Sequence, residues 1–169
     1  EGPQGGQERA MNWIGHGVVA LSVLIALGLG SIPLAEPVSY LWPDWVLLTL
    51  AYWSLAAPQR YGVGVAFLTG VLQDVAIGTL LGLHALIYVL IVYVLVVNHL
   101  RIRMLHLGAQ TLVILVLALL SLLLRLWVEG PSQDLMANLW ALVPAMTTAL
   151  FWSPVFLLLR SLRQRFAIA

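Results

Sequence analysis

Charge and cysteine are scarce in this sequence. Its 169 residues include eight arginines and seven acidic residues, so that 9% of them are charged, whereas a soluble domain carries about 25%. Hydrophobic residues make up 62% of the chain, and the mean hydropathy is +0.98. A soluble globular domain is therefore excluded. The absence of cysteine excludes disulfides and thiolate chemistry and gives no indication of the redox compartment.

The few charges separate six charge-free apolar windows, at residues 10–35, 45–59, 61–73, 75–100, 104–124 and 135–159. A span across about 30 Å of hydrocarbon needs roughly 20 apolar residues, so the first, fourth, fifth and sixth windows are long enough. The second and third are separated by Arg60, and Pro58 favours a helix break at that point. We therefore expect separate helices at 43–57 and 61–79. The first of these reaches only about 22 Å and must lie in a thinned bilayer or against protein.

The chain is expected to form one all-α domain of six transmembrane helices over residues 11–169. Residues 1–10, EGPQGGQERA, are polar and glycine-rich, and we interpret them as a disordered linker or an expression-derived extension outside the fold. The apolar window that follows is too long for the core of a signal peptide and is interpreted as a retained helix.

Arginines and acidic residues alternate from one connection to the next. Seven of the eight arginines fall on one side of the predicted bundle, at Arg9, Arg60, Arg101, Arg103, Arg160, Arg163 and Arg165. The opposite connections carry Glu36, Asp44, Glu129 and Asp134. The positive-inside rule makes the arginine side cytoplasmic. The predicted location is thus an inner membrane, with several spans and both termini in the cytoplasm.

Two ionisable residues, Asp74 and Arg125, lie within the apolar layer at similar predicted depth. A charge at membrane depth is costly, so it faces a partner or a wet cavity. The two side chains are expected to pair as an interhelical salt bridge, to line a cavity or partner groove, or to form a relay for protons or substrate. Alternatively, Arg125 extends towards Glu129 or the headgroups, and Asp74 binds Gln73 or backbone groups instead.

Small and aromatic residues mark a candidate partner surface. Gly70 and Gly78 flank Asp74 at four-residue spacing, which allows another helix to approach closely. Intramolecular packing is the alternative interpretation of these glycines. Trp42, Asp44 and Trp45 cluster at the predicted outer end of the second helix, where anchoring in the headgroup layer and a well-capped helix start are the alternatives.

Groups that could carry chemistry are few. The four histidines are scattered over different segments, and the spacing of His99 and His106 matches no zinc pattern. No nucleophile elbow, phosphate-binding loop or pair of carboxylates is present in the sequence. We therefore predict no enzymatic activity, no cofactor or metal, and no nucleic-acid partner.

A series of short motifs spans the second to fourth predicted helices and the C-terminus. They are PDWVLL at 43–48, YW at 52–53, AP at 57–58 with Arg60, glycines at 62, 64, 70 and 78 around Asp74, LG at 81–82, FWSP at 151–154 and the basic tail at 160–165. In order and spacing, this series resembles the MreD family, the small inner-membrane subunit of the bacterial rod-shape machinery. Trp42 departs from the family pattern, which is often basic at that position.

The resemblance implies a non-enzymatic membrane scaffold that helps to control cell shape and peptidoglycan synthesis. Proteins similar to this one associate with MreC, a bitopic protein, and thereby with MreB, RodA and a class B penicillin-binding transpeptidase, while membrane lipid surrounds the helices. The family has also been compared with the substrate-binding subunits of energy-coupling-factor transporters. This comparison provides the alternative prediction, a small-molecule (vitamin-type) transport subunit.

Overall fold

A computed structural model describes residues 3–35, 38–130 and 139–166, and it describes side chains from residue 13 onward except that of residue 14. All secondary structure in these ranges is helical, which confirms the all-α class. The helices are α1 (Pro3–Gly30), a 3₁₀ turn (Val38–Leu41), α2 (Trp45–Ala56), α3 (Val63–Ile77), α4 (Leu83–Val97), α5 (His99–Met104), α6 (Leu107–Glu129) and α7 (Val143–Arg165).

The long helices run alternately up and down, so the bundle has two distinct ends. At one, the Asp44 end, α1, α3 and α6 finish while α2, α4 and α7 begin. At the other, the arginine end, α2 and α7 finish beside α5 and the start of α6. Glu36 and Asp134, which we expected on the acidic side, lie outside the described residues.

The short helix α2 forms the centre of the bundle. Every residue from 46 to 55 is buried, because α1, α4 and α7 surround the helix and α5 covers its last turn. Asp44 caps its first turn by accepting the Leu47 N–H at 2.9 Å, and Pro58 follows its last residue closely. The predicted break before Arg60 is confirmed, and of the two alternatives for this short helix the structure shows the one in which it lies against protein.

Helices α3 and α4 form a tight hairpin around Gly70. A Cβ atom at this position would lie 2.3 Å from Ala85 Cα, so only glycine allows the two backbones to approach this closely. Gly78 ends α3 with φ +70°, and its N–H donates to the Asp74 carbonyl at 3.0 Å. The structure therefore favours intramolecular packing for Gly70 and gives Gly78 the role of a helix cap.

Two of the described helices, α6 and α7, are long and apolar enough to cross a bilayer, at 23 residues each. Shorter apolar helical stretches cover Gly15–Gly30, Val63–Ile77 and Leu83–Val97. The expected window at 75–100 is divided, since it contains the end of α3 and the turn at 78–82 as well as α4. Large apolar side chains such as Leu68, Leu112 and Leu150 are exposed along the bundle, which is the pattern of a lipid-facing surface.

Helix α1 begins at Pro3 and so includes residues 3–10. The interpretation of residues 1–10 as a segment outside the fold stays a prediction. The apolar part of α1 begins only at Gly15.

Replacing Gly70 with alanine should destabilise the bundle, because the new methyl group would overlap the Ala85 backbone. We expect a loss of about 3 kcal/mol, at the upper end for overpacking. Gly64→Ala, in the same helix, meets no atom within 4 Å and should leave stability unchanged or slightly higher. Thermal unfolding of both variants in detergent tests this, and equal unfolding temperatures would show that the α3–α4 contact is looser than described.

Candidate functional site

A cleft of about 410 Å³ opens at the Asp44 end of the bundle. Residues within 32–34 and 39–44 border one side, and residues from α2, α3, α4, α6 and α7 line the rest. Its polar side chains include Asp44, Gln73, His84, Tyr88, Ser121, Arg125 and Thr148. These groups come from four helices and from the residue that caps α2, so the cleft brings together polar side chains from most of the bundle.

Asp44 connects four helices through one side chain and its own backbone. Its carboxylate caps α2, accepts the Tyr88 hydroxyl of α4 at 3.2 Å and contacts Arg125 Nη2 of α6 at 3.3 Å. The Asp44 N–H donates to Thr148 Oγ1 of α7 at 2.8 Å. The ion pair with Arg125 is partly exposed, with side-chain exposures of 20% for Asp44 and 36% for Arg125, so solvent weakens it.

Asp74 forms a second, fully buried centre at the α3–α4 turn. Its Oδ2 accepts the Gly82 N–H at 2.8 Å, and its Oδ1 accepts the His84 N–H and the Thr79 hydroxyl, both at 3.0 Å. The His84 ring nitrogen Nδ1 lies 2.7 Å from the same Oδ1. A carboxylate in this position complements the positive end of α4, so Asp74 stabilises the turn.

The expected pairing of Asp74 with Arg125 is wrong. Asp74 binds His84 and the backbone of its own turn, while Arg125 binds Asp44. The alternative that Asp74 binds backbone groups is confirmed, although Arg125 turns to Asp44 rather than to Glu129. The sequence predicted that Asp74 and Arg125 lie at a similar depth in the membrane. It did not predict which side of its helix each residue occupies, and so it could not identify the residue that each one faces.

The other predicted partner residues divide into two groups. Trp42 lines the cleft and donates from Nε1 to the Leu29 carbonyl at 2.9 Å, and Trp45 packs edge-on against the Trp42 and Phe151 rings. Gly70 is covered by α4, so it is unavailable to another helix unless the hairpin opens. Gly78 lies at the turn, outside any helical face.

Four residues of the two polar centres were not singled out from the sequence: Thr79, His84, Tyr88 and Thr148. His84 and Tyr88 lie one turn apart at the start of α4, with ring centroids separated by 5.7 Å. The sequence signal for His84 was its place just after the glycine-flanked turn that follows Asp74. Thr148 lies 104 residues from Asp44 in sequence, and no local pattern could connect the two.

The cleft keeps some hydrogen-bonding capacity unused. Gln73 Oε1 and Arg125 Nε are buried and have no hydrogen-bond partner within the described part of the chain. In the same part, no three His, Asp or Glu side chains converge as a metal site would require. An arrangement with one free acceptor, one free donor and a partly exposed ion pair can bind a polar segment of another molecule.

Comparison with known proteins identifies the family. The model of the family described as rod shape-determining protein MreD matches residues 11–162 of the chain. The chain belongs to the MreD family. It is also similar to a rod shape-determining protein MreD of Haemophilus influenzae (strain ATCC 51907 / DSM 11121 / KW20 / Rd), with 34% identity over 123 residues, covering 73% of this chain and 76% of the relative. No solved structure matches the chain significantly.

MreD membership gives the chain a coarse role. It belongs to a membrane protein family of rod-shape determination, and the resemblance stated from its motifs is confirmed. The family is a structural one rather than a known enzyme family. The alternative of a vitamin-type transport subunit is not favoured by either match.

Replacing Asp74 with alanine should destabilise the MreD fold strongly. The Gly82 and His84 N–H groups would lose their acceptor inside the bundle, and each buried unpaired donor costs about 1–3 kcal/mol. We expect a loss on the order of 3 kcal/mol or more in the free energy of unfolding. Asp74→Asn keeps one carbonyl acceptor and should lose less. Equal stability of the alanine variant and the parent in detergent would contradict the assigned role.

A double-mutant cycle can test which acid pairs with Arg125. Asp44→Asn combined with Arg125→Gln should show a coupling of about 0.5–1 kcal/mol, the size expected for a partly exposed ion pair. The corresponding cycle of Asp74→Asn with Arg125→Gln should show a smaller coupling. The measurement is the unfolding free energy of each variant, and a reversed order of the two couplings would restore the pairing expected from the sequence.

Proposed function

We propose that this chain is a non-enzymatic integral-membrane scaffold of the bacterial rod (elongation) complex, with six crossings of the inner membrane. The observation that carries the role is the family match over residues 11–162. The alternation of the helices supports the crossings, because it brings Arg103, Arg160 and Arg163 to one end and Asp44 to the other. By the positive-inside rule, the arginine end and both termini are cytoplasmic.

The short helices fit this proposal because the protein supplies their surroundings. Helices of 15 residues reach about 22 Å, less than the roughly 30 Å of hydrocarbon, so the bilayer thins around α3 and α4. Helix α2 needs no contact with lipid, since its residues 46–55 are buried inside the bundle. Helices α6 and α7 are the full-length spans.

The cleft at the Asp44 end is proposed to bind MreC, the bitopic partner. Its unused groups, Gln73 Oε1 and Arg125 Nε, suit a polar stretch of extended chain next to a transmembrane helix. Large apolar side chains adjoin this end, and among them Trp127 is 81% and Leu81 is 73% exposed. An apolar rim beside a small polar centre is typical of a protein-binding surface in which a few aromatic side chains supply most of the affinity.

This docking surface differs from the one expected from the sequence. Trp42, Asp44 and Trp45 remain part of it, because they lie in or next to the cleft. Gly70 and Gly78 leave it, since Gly70 packs against α4 and Gly78 caps α3. Through MreC, the scaffold associates with MreB, RodA and a class B penicillin-binding transpeptidase, and it thereby helps to control peptidoglycan synthesis and cell shape.

The topology has a direct test with reporters fused to the full chain. A fluorescent protein at the C-terminus should be bright, and alkaline phosphatase at the same position should be inactive, because that terminus is cytoplasmic in the proposal. Alkaline phosphatase inserted after Gly130, in the α6–α7 connection at the Asp44 end, should be active. Active alkaline phosphatase at the C-terminus would contradict the proposed orientation.

Two exposed tryptophans at opposite ends provide a matched test of docking. Trp127→Ala should lower co-purification of MreC at least tenfold, since truncating an interfacial tryptophan costs about 2 kcal/mol or more. Trp13→Ala removes a similarly exposed tryptophan, 77% exposed, from α1 away from the Asp44 end and should leave the complex intact. Both variants should be monodisperse in detergent. Equal retention of MreC by the two would overturn the docking surface while leaving the family role in place.

A further inference from the structure

A second cleft, of about 540 Å³, lies at the arginine end of the bundle. Arg103 of α5 borders it on one side, and Arg160 and Arg163 of α7 border it on another. The end of α2 contributes Tyr52, and the start of α6 contributes Gln110. Nothing in the proposed scaffold role uses this cleft, so its chemistry needs a separate explanation. We call it the basic cleft.

Among the described residues that line the basic cleft are three arginines and no carboxylate. Among the side chains that the structure describes, the carboxylates are Asp44, Asp74 and Glu129, and all three belong to the opposite end. Arginine stays protonated, so three guanidinium groups around an apolar-walled space focus a positive potential. A cleft of this kind attracts an anion, and guanidinium groups match the oxygens of a phosphate.

Gln110 provides an independent indication of a ligand. It is only 5% exposed, and its Nε2 donates to the carbonyls of Ile102 and Leu105 at 3.2 and 3.0 Å. These two bonds use both amide hydrogens and so fix which end of the side chain is oxygen. The Oε1 atom is buried and accepts no hydrogen bond from the described residues. The ligand that satisfies it must carry a hydrogen-bond donor as well as negative charge.

Tyr52 adds a donor on the opposite wall. Tyr52 and Arg163 line the same cleft. A tyrosine hydroxyl can donate to an anionic oxygen. Apolar walls from Leu55, Ala56 and Phe156 continue the same space. An inorganic ion makes no use of these walls, whereas the glycerol and upper acyl carbons of a lipid bury against them.

We propose that the basic cleft binds the headgroup of an anionic phospholipid whose phosphodiester carries a hydroxyl, such as phosphoglycerol. The three arginines contact the phosphate oxygens, and Gln110 Oε1 accepts the headgroup hydroxyl. Basic pockets between transmembrane helices are known places for anionic headgroups. This inference is independent of the docking surface, because the two clefts lie at opposite ends of the bundle.

The proposed hydrogen bond between the headgroup hydroxyl and Gln110 Oε1 can be tested with the full chain purified in detergent. Binding of phosphatidylglycerol and of phosphatidylmethanol, an anionic diester without the hydroxyl, is measured by native mass spectrometry. The wild type should prefer phosphatidylglycerol about fivefold, the effect of one hydrogen bond, and Gln110→Leu should bind both lipids equally. Equal affinity of the wild type for the two lipids would falsify the hydroxyl contact, whether or not the leucine variant folds.

The contribution of the arginines to lipid binding can be tested by replacing three arginines of α7 one at a time. Arg160→Gln and Arg163→Gln should each weaken phosphatidylglycerol binding about five- to tenfold. Arg165→Gln removes the same charge from α7 outside the cleft and should change binding less than twofold. Equal losses of phosphatidylglycerol affinity in all three variants would indicate diffuse attraction to charged lipid rather than a site, and would contradict the proposal. The proposal would also be contradicted if zwitterionic phosphatidylcholine bound as tightly as phosphatidylglycerol. Displacement of the lipid by millimolar inorganic phosphate would identify free phosphate as the ligand instead.

Discussion

The bundle depends on the capping of one short helix. Helix α2 has twelve residues and spans about 18 Å, and a backbone group left unpaired at membrane depth costs several kcal/mol. Asp44 meets this requirement at the N-terminal end, where its carboxylate accepts the Leu47 N–H and its own N–H donates to Thr148. Because Tyr88 and Arg125 bind the same carboxylate, the start of α2 holds α4, α6 and α7 together.

The two acids that organise the polar centres, Asp74 and Asp44, have different physical roles. Asp74 is 1% exposed and accepts hydrogen bonds from Thr79, Gly82 and His84, so it has little capacity left for another molecule. Asp44 is partly exposed at a cleft where Gln73 Oε1 and Arg125 Nε find no hydrogen-bond partner among the described residues. A buried acid in a membrane protein is therefore not by itself a functional site. An acid whose carboxylate oxygens are already fully hydrogen-bonded within the protein has a structural role, whereas a partly exposed acid is available to bind another molecule.

Much of the architecture could be predicted from the sequence. Pro58 with Arg60 indicated the α2–α3 break, and the short length of α2 indicated that it lies in a thinned bilayer or against protein. The polar centres could not be predicted fully, because spacing along a helix gives depth but not the neighbour that a side chain faces. Gly78 shows a second limit, since four-residue spacing from Asp74 implied a continuous helical face, whereas its φ of +70° ends the helix. Thr148 required knowledge of tertiary contacts from the other end of the chain.

The hydrogen bond between Asp44 and Thr148 has a consequence for biogenesis. The ribosome makes α2 long before Thr148, which follows Asp44 by 104 residues. Helix α2 therefore enters the membrane before the acceptor of the Asp44 N–H has been made. Until α7 is inserted, the N-terminal helices form an unfinished assembly that the insertion machinery must shield from lipid. A chain that stops after α6 lacks the contact between Asp44 and Thr148. Membrane quality-control proteases would then encounter α2 without α7 packed against it.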